Sequence, residues 1–261
     1  MRKLVKILML ILISLINYSC NLDEPAGNDY YYTWASDYLQ SSSRDSRIPD
    51  TIKTLYKLDA AILAFRTMLT DTFARDNIVE INEDVIEEMY RGLICIYNLK
   101  NYRPLNIITE HYKIHARENP SLTRLILVVD TTKEWAQAWR NGQRLTGNQE
   151  IDQLILTYDL QLGKRWFFSN YHTLISPRPL NLLALKNLFK KIDGVLDAAP
   201  DGLIGDGNDI IFNYARSNRV YTFILGWGDC LAGCMNSHYW DVAVTPDEKV
   251  KFIKEYGDLL P

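Results

Sequence analysis

The chain has 261 residues, of which 47% are hydrophobic and 23% are charged. A chain of this length and composition can bury the core of one or two domains. Its formal net charge is −3, and the Lys and Arg residues form no large cluster beyond the N-terminus. Because phosphate recognition needs clustered cations, this balance excludes a nucleic-acid partner.

The pattern of residues 1–19 is typical of a secretory signal. Arg2, Lys3 and Lys6 accompany an apolar run that extends from Leu4 to Ile16. A helix over this run rises about 20 Å, which is shorter than a hydrocarbon core of about 30 Å. A basic segment, a short apolar run and a small exit residue together indicate a signal peptide. The sequence therefore predicts export.

Ser19 and Cys20 end this segment, which at that point resembles a bacterial lipoprotein signal. In that family the cysteine becomes the lipidated mature N-terminus. The resemblance implies a protein that is lipid-anchored in the bacterial cell envelope, at the outer membrane or the cell surface. An uncleaved N-terminal anchor is the alternative, which the short apolar run disfavours.

The predicted fold class is α+β, and the first part after the signal is a flexible tether over residues 20–50. This segment is polar, and its aromatic residues between Tyr30 and Tyr38 could stack on sugars or fold back onto the body. A helical subdomain is predicted for residues 51–118. Its first helix has one apolar face that includes Ile62 and Phe65, and Asn82 can cap a second helix that ends near residue 99.

Residues 119–205 are predicted to contain strands and helices in the order β-α-β-β-α-β, a ferredoxin-like unit. Strands are expected at 124–130, 160–168, 171–176 and 195–199, with helices that begin after Thr132, Asn148 and Asn181. The segment from Ile192 to Pro200 leads from a helix through a Gly-Val step into a last strand and a proline. On this pattern residues 122–202 resemble the propeptide or inhibitor domain of subtilisin-type proteases. Since no protease domain follows, the resemblance implies a binding or inhibitory role.

Residues 206–261 are predicted to form an antiparallel β-meander of four strands. Alternating apolar and polar residues indicate strands at 210–214, 220–227, 239–244 and 250–256, and short turns separate them. The Asp-Gly-Asn-Asp segment that ends at Asp209 has the composition of a calcium loop. It lacks the Gly and Glu that an EF-hand needs at its sixth and twelfth positions, so a turn is predicted.

The four cysteines divide into three roles. Cys20 is assigned to lipid, and Cys95 lies in a helical segment where it is expected to pack as a small hydrophobe. Cys230 and Cys234 are predicted to form a disulfide, because export places them in an oxidising compartment and glycines flank them. Their Gly-Trp-Gly-Asp-Cys-x-x-Gly-Cys loop resembles a motif of secreted and lipid-anchored bacterial proteins, which implies no activity.

Two alternatives for this cysteine loop stay open. Thiol redox chemistry usually uses Cys-x-x-Cys at a helix N-terminus, whereas these cysteines are separated by three residues between strands. A metal site could combine Cys230, Cys234 and His238, although structural zinc sites need a second ligand pair. His111 and His115 share one face of their segment and are weak metal candidates, because the Glu of a His-Glu-x-x-His motif is missing.

No phosphate-binding loop, dinucleotide fingerprint or nucleophile elbow occurs in the sequence. We therefore predict no catalytic residue and no cofactor. The predicted function is a non-enzymatic binding module with a protein partner in the envelope. A metal-dependent hydrolase, a thiol oxidoreductase and a protease-inhibitor-like domain are the alternatives.

Overall fold

The computed structural model describes residues 36–163 and 170–261. The predicted signal peptide, the lipidation site Cys20 and the aromatic residues from Tyr30 to Trp34 lie outside the described residues. Within them, seven α-helices and two antiparallel sheets confirm the predicted α+β class. None of the helices in these two ranges is long and apolar enough to cross a bilayer.

The first sheet contains five strands, numbered here with all others in chain order. They are β1 (Leu39–Gln40), β6 (Asp209–Ala215), β7 (Asn218–Trp227), β8 (Asn236–Val244) and β9 (Lys249–Gly257). The spatial order is β1-β9-β8-β7-β6, and every neighbouring pair is antiparallel. Strand β7 alternates between buried and partly exposed residues, so one face of this sheet lies against the core.

Helices cover that buried face. They are α1 (Asp50–Met68), α3 (Glu83–Tyr97) and α4 (Arg103–Asn106), which continues into a π-helical turn (Ile107–His111). The short helix α2 (Thr72–Asn77) lies between α1 and α3 in the chain and buries none of its residues. The predicted cap is present, because the Asn82 side chain accepts hydrogen bonds from the backbone N–H groups of Asp84 and Val85. A Cβ at Gly92 would overlap the Tyr221 hydroxyl. Glycine therefore lets α3 rest directly on β7, where that hydroxyl donates to the Met89 carbonyl at 3.0 Å.

The second sheet lies in the middle of the chain. It consists of β2 (Arg124–Val129), β3 (Gln161–Leu162), β4 (Tyr171–Ile175) and β5 (Val195–Pro200), in the order β3-β4-β2-β5 with antiparallel neighbours. Three helices accompany it: α5 (Glu134–Arg140), α6 (Gln149–Thr157) and α7 (Leu182–Phe189). Trp139, Leu127 and Phe189 are fully buried in a second apolar core between them.

One local prediction in this region needs correction, and a second lies partly outside the described residues. Helix α5 is preceded by Lys133 and has no side-chain cap, because the Thr132 hydroxyl instead donates to Asp130 at 2.7 Å. The strand predicted at 160–168 is seen as Gln161–Leu162, and residues 164–169 are outside the described residues. Asn148 and Asn181 cap α6 and α7 as predicted.

Residues 36–50, the last part of the predicted tether, lie along the first sheet. Strand β1 pairs with β9, the Ser41 hydroxyl donates to the Cys95 carbonyl at 2.6 Å, and Ile48 is buried. Serine hydroxyls and backbone groups make most of these contacts. Residues 36–50 are therefore packed against the sheet, although their polar composition predicts a flexible tether.

Candidate functional site

The loop between β7 and β8 carries the cysteine pair. The sulfur atoms of Cys230 and Cys234 lie at disulfide distance, and their Cα atoms are 3.9 Å apart. Gly228 and Gly233 have φ angles of 94° and 110°, which side-chain-bearing residues rarely adopt. These glycines allow the chain to turn tightly enough for the two sulfurs to meet.

A second loop, residues 201–208, lies directly against the cysteine loop. The Asp206 backbone N–H donates to the Cys230 carbonyl at 2.5 Å. Gly205 has a φ of 83°, and a Cβ at that position would collide with the same carbonyl oxygen. The Asn208 side chain also accepts a hydrogen bond from the backbone of Gly226 at 3.1 Å. The two loops therefore form one braced unit at the end of the first sheet.

This unit exposes four large aliphatic side chains. Leu203 is 61% exposed, Ile204 87%, Leu231 78% and Met235 76%. We call these four residues the apolar tip. Single exposed apolar residues are common on protein surfaces, but several on contacting loops form a patch of the kind that marks an interaction site.

Polar contacts hold the backbone beneath the apolar tip. The Asn119 side chain donates to the Leu203 carbonyl at 3.3 Å, and Arg117 donates to the Ile204 carbonyl at 3.4 Å. Arg117 also pairs with Asp206 at 3.4 Å. These hydrogen bonds to the Leu203 and Ile204 carbonyls hold the shape of the loop. The loop therefore does not have to bury its aliphatic side chains to stay in place.

The C-terminal residues lie at the same end of the first sheet. The Asp258 backbone N–H donates to the Ser237 carbonyl at 2.9 Å, and the Asp258 carboxylate accepts from the Ser237 backbone at 2.8 Å. Leu259, the next residue, is 73% exposed. An exposed leucine of the C-terminal residues therefore lies at the same end of the first sheet as the apolar tip.

The three histidines that the sequence offered as metal candidates lie in separate environments. The His111 ring packs against Tyr112 with centroids 4.5 Å apart, and His115 Nδ1 lies 2.7 Å from Asp59 Oδ2. His238 Nδ1 lies 2.6 Å from the Asp258 carbonyl oxygen. In the described part of the chain, no three His, Cys, Asp or Glu side chains are placed to hold a metal ion.

Asp59 is a buried carboxylate that sequence reasoning missed. It lies on α1 with 2% of its surface exposed, and it accepts hydrogen bonds from the Ala116 backbone and from the His115 ring. Burial raises the pKa of Asp59 above its usual value, and hydrogen bonding to His115 opposes that rise. Among the described residues, the His115 ring has no hydrogen bond to a Ser, Thr or Cys side chain. The hydrogen bonds of Asp59 therefore join residues 114–117 to α1. Among the described residues, the Asp59–His115 pair has no nucleophile bonded to it.

Cys95 is the free cysteine of the described residues. It is fully buried on α3, as the sequence predicted, and burial raises the pKa of its thiol to about 12. A thiol with so high a pKa is protonated at neutral pH and is a poor nucleophile or metal ligand. Cys95 is thus a packing residue.

An open cleft of about 760 Å³ lies between α1 and α3. No His or Cys lines it, so it lacks the groups that nucleophilic or zinc catalysis would need. Its lining residues are Thr54, Lys57, Leu58, Ala61, Glu83, Asp84, Ile86, Glu87, Tyr90, Thr123 and Pro179.

No known protein family, curated protein or solved structure matches this chain. Among the described residues, the apolar tip combines four strongly exposed aliphatic side chains on two loops that contact each other. Its sequence signal was a Leu-Ile pair inside a glycine- and aspartate-rich turn, where an exposed hydrophilic turn is the usual composition.

Proposed function

We propose that this protein is a non-enzymatic binding module of the bacterial cell envelope, held by a lipid on Cys20, that binds its partner through the apolar tip. The observation that carries this proposal is the exposure of four aliphatic side chains, 61–87% each, on two loops that brace one another. Removal of one such side chain from water contributes roughly 1.5–3 kcal/mol when burial is complete. A partner that covers the tip would gain that contribution.

Bracing supports binding because an ordered surface loses little conformational entropy when a partner docks. The cysteine pair closes one loop, and the glycine at position 205 brings the other loop onto it. The loops are therefore shaped before the partner arrives. This arrangement favours a binding role over a purely structural one.

The positions of the histidines and of the cysteine pair disfavour the enzymatic alternatives. A metal-dependent hydrolase would need its histidines to converge, whereas His111, His115 and His238 each have a different neighbour. A thiol oxidoreductase would place its cysteines at a helix N-terminus, where the dipole lowers the thiol pKa. Here both cysteines lie between two strands.

The test measures binding of the mature chain, residues 20–261 with Cys20→Ser, to envelopes of the producing bacterium. We expect Leu231→Ser combined with Met235→Ser to weaken binding at least tenfold, which corresponds to about 1.4 kcal/mol. The matched control combines Leu156→Ser with Leu196→Ser, two comparably exposed leucines outside the tip. Equal binding by the tip variant and the control variant would refute the proposed function.

A second candidate function follows from the second sheet. Its strand order and antiparallel pairing agree with a ferredoxin-like β-α-β-β-α-β unit, which supports the resemblance of residues 122–202 to subtilisin-inhibitor domains. If this chain inhibits such a protease, the mature chain should slow a secreted subtilisin-type protease at nanomolar concentration and remain uncut. Rapid cleavage of the chain without inhibition would exclude this function.

A further inference from the structure

The N-terminal segment approaches the body from the end of the first sheet that carries the apolar tip. Leu39 pairs with Val250 and Gln40 pairs with Lys249, and the Ser36 backbone N–H donates to the Phe252 carbonyl at 3.1 Å. From Gln40 back to Ser36, the chain thus moves along β9 toward Gly257. Gly257 pairs with His238 at the start of β8, which directly follows the cysteine loop.

The proposed lipid site is within reach of that end. Cys20 lies 16 residues before Ser36, a length that spans at most about 55 Å when it is fully extended. Residues that precede Ser36 therefore connect a lipid on Cys20 to the end of the first sheet where the tip is exposed. The lipid and the tip can meet the same membrane surface.

The chemistry of the tip fits a fluid hydrocarbon layer better than a protein. Its four side chains are Leu, Ile and Met, and they include none of the Trp, Tyr or Arg residues that carry most of the binding energy at protein interfaces. They also lie on loops, and a protein partner would have to match the shape of these loops closely. Acyl chains adapt to any shape and need no such complementarity.

We propose that the apolar tip inserts into the bilayer surface that holds the lipid of Cys20, which deepens the proposed function and rests on it. The tip supplies an attachment that also orients the first sheet, because it fixes which end of the strands faces the bilayer.

Charge near the tip predicts the lipid preference. Asp206, Asp229 and Asp258 are exposed at this end, and Arg117 is already paired with Asp206. Membrane adsorption by electrostatics needs clustered Lys and Arg, which the tip lacks. Insertion should therefore be no stronger on anionic lipids than on zwitterionic lipids.

The experiment is co-sedimentation of the mature Cys20→Ser chain with protein-free vesicles, one set of phosphatidylcholine and one set that also contains phosphatidylglycerol. We expect binding to phosphatidylcholine that is not increased by phosphatidylglycerol. Leu231→Ser with Met235→Ser, and separately Leu203→Ser with Ile204→Ser, should each lower the partition coefficient at least tenfold. The Leu156→Ser and Leu196→Ser double variant should bind as the parent chain does, and unchanged melting temperatures verify folding.

The outcomes separate this inference from the proposed function. If the tip variants lose binding to envelopes but the parent chain ignores protein-free vesicles, the partner is a protein, and the membrane inference is overturned while the binding function stands. If the parent chain binds vesicles but the tip and control variants bind equally, the tip is not the inserted element. If binding appears only with phosphatidylglycerol, electrostatic adsorption replaces insertion.

Discussion

Glu248, at the turn between β8 and β9, holds the N-terminal segment against the first sheet. Its carboxylate accepts hydrogen bonds from the Ser43 hydroxyl at 2.6 Å, the Ser43 backbone at 3.0 Å and Arg91 at 2.6 Å. These bonds, with Ser43 first, lower the pKa of Glu248 to about 2. Two of these three bonds join Ser43 to the turn between β8 and β9, and the third joins the same carboxylate to α3.

We predict that Glu248→Gln lowers the free energy of unfolding at pH 7 by about 1 kcal/mol, because the group is partly exposed and solvent screens its ion pair. The folded pKa of about 2 lies below the usual value of 4.5. The stabilisation is therefore fully present above about pH 4.5 and is lost as the pH falls toward 2. Urea unfolding at pH 7 and at pH 3 should show a smaller difference between the two chains at pH 3. Glu87→Gln, an exposed change on α3, is the control, and a pH-independent difference would contradict the prediction.

At the scale of elements, the cysteine pair is expected to stabilise the loop between β7 and β8. A bridge that closes so short a loop contributes about 2 kcal/mol through the unfolded state. We predict that Cys230→Ser with Cys234→Ser lowers the melting temperature by several degrees, and that a reductant has the same effect on the parent chain. The third described cysteine, Cys95, is buried, so reduction acts on the pair. Calorimetry with and without reductant checks this, and a melting temperature unchanged on reduction would exclude a structural role for the bridge.

Element boundaries were predictable where their cause is local. Asn82, Asn148 and Asn181 cap their helices through backbone groups two and three residues away, and that spacing is visible in the sequence. The start of α5 was missed, because Thr132 has a competing local acceptor in Asp130. The short helix α2 was also missed as a separate element, although Asp71 caps it in the same local way.

The pairing of β1 with β9 could not be predicted from local pattern, since it joins Leu39 to Val250 across most of the chain. The candidate site was hidden for the same reason. Ile204 and Leu231 each look like an ordinary loop residue, and the hydrogen bond from Asp206 to Cys230 that unites their loops spans 24 residues. The cysteine pair was predictable because its two residues are close in the sequence. The apolar tip depends on tertiary contact and exposure, which composition does not encode.

At the scale of the whole molecule, Asn181 joins α7 of the second core to the end of α2. Its side-chain oxygen accepts hydrogen bonds from the first turn of α7, and its side-chain nitrogen donates to the Arg75 and Ile78 carbonyls at 2.9 and 2.8 Å, at the end of α2. The residue is fully buried. The Asn181 amide therefore caps α7 and also donates hydrogen bonds to the last carbonyls of α2.

Removal of this amide should weaken the second core more than the first. Helix α7 buries Leu182, Leu185 and Phe189 in the second core. Helix α2 buries no residue, so a lost hydrogen bond at its end should not destabilise the first core. We predict that Asn181→Ala costs about 3 kcal/mol, because it removes a helix cap and leaves buried carbonyls unpaired. Asn181→Asp keeps the capping oxygen but loses the donor, so the carbonyls of α2 then face a carboxylate without an N–H group between them. Hydrogen exchange resolves the two cores: in Asn181→Ala, protection should fall more for the amides of β2 and β4 than for those of β7 and β8. An equal fall across both sheets would mean that the two cores unfold as one unit and that Asn181 stabilises the entire chain.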